Sequence, residues 1–153
     1  MQHVDIDDVE SSAIGSDIDR RGLSDPLDTE DVAVNYYRLE PDERLSGNLH
    51  THMDQEEVFV VVSGEATFET PEEEVTVAEN QAVRFAPGEY QSGYNSGDAE
   101  LVVLALGAPR GSRDVRVPQE CPECDHDNMR AIPAEDGEGF VLQCPDCEAE
   151  LAE

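Results

Sequence analysis

The sequence predicts an all-β fold, a small barrel followed by a separate four-cysteine module. Three observations carry this expectation. Eight short segments rich in β-branched and aromatic residues lie between Val32 and Leu106, separated by turn signals. No long amphipathic helix pattern competes with them. Downstream, Cys121, Cys124, Cys144 and Cys147 form two CxxC units. The length of 153 residues suits one ordinary domain, or one small barrel with an appendage, and 38% hydrophobic residues suffice for a compact core.

The strand-like segments are 32–39, 49–53, 57–62, 65–70, 74–78, 82–86, 90–94 and 101–106. Pro41-Asp42, Ser46-Gly47, Ser63-Gly64, Thr70-Pro71, Pro87-Gly88 and Ser96-Gly97-Asp98 punctuate them. Regular short strands of this kind indicate a sandwich or barrel. Residues 1–30 read as an acidic arm, with ten acids up to Asp31. Arg20-Arg21-Gly22 and Asp25-Pro26 break any helical pattern there, so the arm is expected to dock loosely; a strand from a partner subunit and a single helix are the alternatives. Residues 31–108 form the barrel, 109–117 a linker with Pro109 and Gly111, and 118–153 the cysteine module.

Net charge is −28, from 37 acidic residues against 9 basic ones, and every basic residue is Arg. The acids spread through the strand-like region instead of forming a tail. This composition resembles that of proteins from halophiles. At 1 M salt the Debye length is about 3 Å, so self-repulsion is largely screened. No basic stripe is visible, which argues against nucleic acid as a partner. No apolar run approaches the roughly 18 residues of a membrane span, and Met1 to Glu10 lacks the order of a signal peptide, so a cytoplasmic location is expected.

His50 and His52 are two apart on an expected strand and point to one face. In the next strand Glu57, Phe59 and Val61 share a face, leaving Glu56 to solvent. Two imidazoles and one carboxylate suit Fe(II), Mn(II), Ni(II) or Zn(II). The run His50-x-His52-x4-Glu57-x6-Gly64 resembles the first motif of the cupin superfamily, and Gly88-x2-Gln91-x3-Asn95, after Pro87, resembles the second. The resemblance covers roughly residues 31–108. It implies a double-stranded β-helix barrel, a homodimer, and one divalent metal held by three His and one Glu. Arg44 and Gln81 stand where the two motifs usually open with Gly. Gln91 stands where the fourth ligand is expected. Gln91 then ligates weakly or through water, or His50, His52 and Glu57 form a triad with open positions, or affinity drops and the barrel holds no metal. Tyr36, Phe59, Phe68, Phe85 and Tyr90 are expected to face the core, with Arg38, Arg84 and Tyr94 as surface or packing residues; contact with an anionic substrate at the barrel mouth is the alternative for these three.

Nineteen residues separate Cys124 from Cys144, which is zinc-site spacing. Four thiolates give closed tetrahedral coordination, with His126 outside the set. Two short strands, 128–132 and 140–143, around Asp136-Gly137-Glu138-Gly139 complete a segment that looks like a zinc ribbon. About 30 residues bury too little apolar surface to fold without the metal. Redox-active and disulfide readings are disfavoured, since no βα junction is evident and a cytoplasmic chain keeps thiols reduced. Eleven acids and one Arg from Pro118 onward favour a protein contact, or docking on the chain's own barrel.

Two functions compete. One is an enzyme of oxygenase, isomerase or lyase type acting on a small polar metabolite at the barrel metal. The other is a non-catalytic ligand or metal sensor whose ribbon contacts a protein partner. Metal storage is a weaker third. The charge balance makes a first prediction: the melting temperature falls when KCl is lowered from molar to millimolar, and a value that stays flat contradicts the salt-adapted reading.

Overall fold

Alternating apolar residues build two facing sheets, joined at one end to a third. The computed structural model describes residues 1–12, 17–135, 137 and 139–152. The larger barrel sheet contains β1 (Asp19–Gly22), β2 (Ala33–Leu39), β9 (Leu101–Ala108), β4 (Glu56–Ser63) and β7 (Ala82–Phe85), in that order, all antiparallel. Facing it is a sheet of β6 (Glu74–Ala78), β5 (Glu65–Glu69) and β8 (Ser92–Asn95). The third sheet orders β13 (Glu150–Ala152), β12 (Phe140–Gln143), β11 (Met129–Pro133), β10 (Val115–Val117) and β3 (Thr51–His52). The expected all-β fold is therefore observed, and the eight expected barrel segments correspond to β2 through β9.

Leu101, Val103, Ala105 and Gly107 are the buried alternate positions of β9, opposite Phe59 and Val61 of β4. Glu57, Phe59 and Val61 do share the inner face, while Glu56 faces out and pairs with Arg84. Phe59, Phe68 and Phe85 form a core cluster, with ring centroids 4.9 to 6.1 Å apart. Tyr36 is a correction. The β2–β9 register turns Ala33, Asn35, Tyr37 and Leu39 inward, so Tyr37 is buried and Tyr36 lies outside under the Arg38 guanidinium. Two adjacent tyrosines in a strand do not reveal which parity is inward.

The arm and the linker contribute strands. β1 pairs with the chain's own β2 from Asp19↔Arg38 to Gly22↔Asn35, and Asp7 ties it down through Arg21 and Arg38. Residues 13–16 of the arm lie outside the described residues. Within the linker, β10 pairs with β3 on one side and β11 on the other, so the third sheet runs out of the barrel into the cysteine module. β11 and β12 pair antiparallel near the two expected ribbon strands. Asp136 and Glu138 of their expected turn lie outside the described residues. Among the described residues, no helix is long and apolar enough to cross a membrane.

Two motif positions are explained by backbone demands. Gly64 has φ +88°, and a Cβ there would sit 2.8 Å from the Glu100 carbonyl oxygen. Asn95 is fully buried. Its amide nitrogen donates to the Leu39 and Ala99 carbonyls, both at 2.9 Å, and its oxygen accepts from Gly97 N–H at 3.0 Å. Asn95→Ala removes this partner from the buried Leu39 carbonyl and from the part-buried Ala99 carbonyl and Gly97 N–H. A loss of about 2–3 kcal/mol in urea-unfolding free energy is expected; a change under about 0.5 kcal/mol contradicts this role for Asn95.

Candidate metal centre

The first motif sits where two sheets meet. His50 forms an isolated bridge with Gln91, with backbone hydrogen bonds of 3.2 and 2.9 Å, and His52 is the last residue of β3. Being two apart, both imidazoles point inward, with ring centroids 5.3 Å apart. Glu57 enters from β4 just beyond the turn that follows β3. One donor atom from each of His50, His52 and Glu57 lies within 4.8 Å of the others, and His52 Nε2 is 3.4 Å from Glu57 Oε1.

The hydrogen bonds behind the rings fix which nitrogens face this point. His50 Nδ1 lies 2.9 Å from the Asn48 carbonyl oxygen, which only accepts, so Nδ1 carries the proton. His52 Nδ1 lies 2.9 Å from Ser112 Oγ, and Ser112 spends its own proton on Asp54 at 2.7 Å. Ser112 therefore accepts from His52 Nδ1–H. Both Nε2 lone pairs are left free on the side of Glu57, the arrangement metal-binding imidazoles require.

Electrostatics point the same way. Burial lowers the pKa of His50. Burial, with His50 beside it, lowers that of His52 to about 4. Burial raises Glu57 to about 7, against a hydrogen bond from Gln91 that favours the carboxylate. Relative to an exposed carboxyl, the site disfavours charged Glu57 by about 3 kcal/mol. Neutral imidazoles and a carboxylate short of positive charge are a donor set that fits a divalent cation.

Gln91 is 3% exposed, and its amide nitrogen donates to Glu57 Oε2 at 3.0 Å. In this arrangement it presents its NH2 group to the carboxylate and orients Glu57.

The four cysteines also converge. Cys121 and Cys147 sulfurs are 3.6 Å apart, Cys124 and Cys144 sulfurs 3.5 Å, and one atom from each of the four lies within 4.8 Å of the rest. A tetrahedral ion with bonds of about 2.3 Å to sulfur has S···S edges of about 3.8 Å, whereas a disulfide needs about 2.05 Å. The cluster therefore fits zinc. Both CxxC turns are built alike. Asp125 N–H donates to the Cys121 carbonyl and Glu148 N–H to the Cys144 carbonyl, each at 3.1 Å, and both residues take positive φ. Burial opposes the Cys144 thiolate, but backbone N–H groups of Cys147 and Asp146, with the Cys124 and Cys121 thiols, outweigh it and draw its pKa down to about 6.

A cavity of about 320 Å3 opens onto the His50, His52 and Glu57 cluster. Tyr37, Ser112, Arg20 and Arg110 also line it. Sequence reading missed these four. Ser112 is sixty positions from His52, and both arginines lie in segments read as arm and linker. Neither Arg38 nor Tyr94 lines this cavity. Arg38 pairs with Asp7, and Tyr94 lies 5.0 Å from the Arg44 guanidinium.

Residues 35–107 match the cupin domain family. No curated protein matches the chain. Solved structures do. A sugar phosphate isomerase of the cupin superfamily from Silicibacter pomeroyi aligns with TM-score 0.68 at 22% identity, over 95% of this chain and 94% of its own. A polyketide cyclase from Streptomyces resistomycificus gives 0.67 at 18% identity, over 80% and 89%. A predicted oxalate decarboxylase from Thermotoga maritima gives 0.59 at 19%, over 70% and 98%. At these identities the likeness is one of fold.

The raised Glu57 makes metal uptake depend on pH. Below about 7 the metal-free carboxyl is protonated and must lose that proton on binding, while His52 stays neutral down to about 4. Calorimetric titration with Mn(II) is expected to show affinity falling about tenfold per pH unit from 7 to 5, and levelling off above 7. An affinity unchanged between pH 5 and 7 contradicts this.

Proposed function

We propose that this chain, whose residues 35–107 match the cupin domain family, is a metal-dependent enzyme acting on a small polar metabolite. His50 Nε2, His52 Nε2 and the Glu57 carboxylate hold one divalent ion, in an isomerase, lyase or oxygenase type of reaction. The observation carrying this reading is the convergence of the three donors at a cavity large enough for a small metabolite. Bound there, a divalent metal supplies Lewis acidity toward a substrate oxygen, with coordination positions left open.

The chain's own residues supply the rest. Asn48 and Ser112 hold the imidazoles in one tautomer, Gln91 orients Glu57, and Phe59 closes the cavity on its inner side. The neighbouring folds carry names of an isomerase, a cyclase and a decarboxylase, so the barrel shape alone does not select a reaction. Cys121, Cys124, Cys144 and Cys147 hold structural zinc in this reading; closed coordination leaves no room for chemistry there.

One observation favours the sensor as a second reading. β10 is hydrogen-bonded to β3 and β11 at once, so a change at His52 has a continuous sheet leading into the cysteine module.

Metal analysis of protein purified in molar KCl tests the first reading. Two metals per chain are expected, one of them zinc, and His50→Ala is expected to remove only the other. One zinc per chain, unaffected by His50→Ala, contradicts a barrel metal.

A further inference from the structure

Arg20 differs from seven of its eight fellow arginines in what it touches; the eighth, Arg113, also lacks a carboxylate partner among the described residues but is exposed and lies outside the cavity. Arg21, Arg38, Arg44, Arg84, Arg110, Arg116 and Arg130 each pair with a carboxylate. Arg20 has no carboxylate within 4 Å among the described residues, in a chain with 37 acidic side chains. Yet it is half-buried and lines the same cavity as His50, His52 and Glu57.

Its setting is a built one. Arg20 lies on β1 opposite Tyr37 of β2. Its Nε donates to the Tyr37 hydroxyl oxygen at 3.2 Å, its Nη1 donates to the Ser12 carbonyl at 3.3 Å, and its guanidinium carbon lies 6.0 Å from the Tyr37 ring centroid. These contacts hold the planar group in place and leave Nη2 without a protein acceptor among the described residues. Tyr37 accepts from Arg20, so its own O–H remains to be donated. Arg110, the other arginine of the cavity, is already taken: its guanidinium bonds to Asp25 and to the Thr29 carbonyl.

We infer that Arg20, with the Tyr37 hydroxyl, is the anion-binding site of this cavity, and that the substrate carries a carboxylate or phosphate group which they hold. This rests on the metal reading only for the other end of the substrate, where an oxygen would meet the ion. A charged, oriented guanidinium is the strongest oxyanion donor a protein offers. The need for it follows from the charge balance. In a chain with 9 basic residues against 37 acidic ones, capture of an anion depends on a positive group placed locally and free of carboxylate partners. Arg20 is then a specificity-determining residue.

Calorimetric titration of the full chain with inorganic phosphate, glycolate and ethylene glycol tests this, alongside metal analysis of each sample. Wild type is expected to bind phosphate or glycolate and not the neutral diol; the tighter anion tells a phosphate substrate from a carboxylate one. Arg20→Ala is expected to weaken the anion at least tenfold with metal content unchanged, and Arg20→Lys to recover part of the loss. Should Arg20→Ala fold poorly by circular dichroism, Arg20→Gln keeps a polar side chain of intermediate length and removes the charge. Anion binding that survives in Arg20→Ala or Arg20→Gln overturns the assignment, as does a wild type that binds neither anion. A wild type without barrel metal that still binds phosphate through Arg20 refutes the metal reading and leaves this one standing.

Discussion

Two hydrogen bonds behind the imidazoles decide what the barrel interior can do. His50 gives its Nδ1 proton to Asn48, and His52 gives its own to Ser112. With those protons directed away, both Nε2 lone pairs meet Glu57 in a space that burial makes hostile to charge. The site is short of positive charge by construction. That deficit, more than any single contact, ties the ligand triad, the pKa pattern and the open cavity into one account.

The second of those hydrogen bonds explains why barrel and cysteine module are joined as they are. Ser112 stands in the connection between β9 and β10, held by Asp54. Just beyond it, Met53 N–H donates to the Asp114 carbonyl at 2.8 Å, and Asp114 takes hydrogen bonds from Arg116 and Arg130. Arg116 continues to Asn128 at 2.8 Å. His52 is thus positioned by a segment anchored in the four-cysteine module, whose buried cluster among the described residues is Cys121, Met129, Leu142 and Cys144, with Val117, Ala131, Ala149 and Leu151 packed against it. On the proposed reading, so small a core takes its order from an ion held by the four sulfurs. Order at the module is therefore order at the site.

Much of this was legible in the sequence, for identifiable reasons. Strand alternation put Glu57 with Phe59 and Val61 and set Glu56 outside, because a buried face tolerates no slip of one residue. The motif spacing of His50, His52, Glu57 and Gly64 reflects real backbone demands, as the close approach of Gly64 to Glu100 shows. Four things escaped. Tyr36 and Tyr37 are adjacent and chemically alike, so only the register against β9 separates inner from outer. β1 is a short, polar strand and β10 only three residues long, and neither carries enough alternation to reveal its pairing. The partners of His52 and of the cavity arginines are set by loop closures across many residues, which leave no local pattern. Gln91 was visible as a departure from the motif, but its hydrogen bond to Glu57 was not.

The central claim is that one divalent ion sits between His50 Nε2, His52 Nε2 and Glu57. Crystals grown in molar salt, measured at the Mn, Fe, Ni and Zn absorption edges, test it most directly. The account requires an anomalous peak within about 2.0–2.3 Å of all three donors, separate from the zinc peak among the cysteines. A map with density at the four sulfurs alone, and Glu57 hydrogen-bonded only to Gln91, contradicts it.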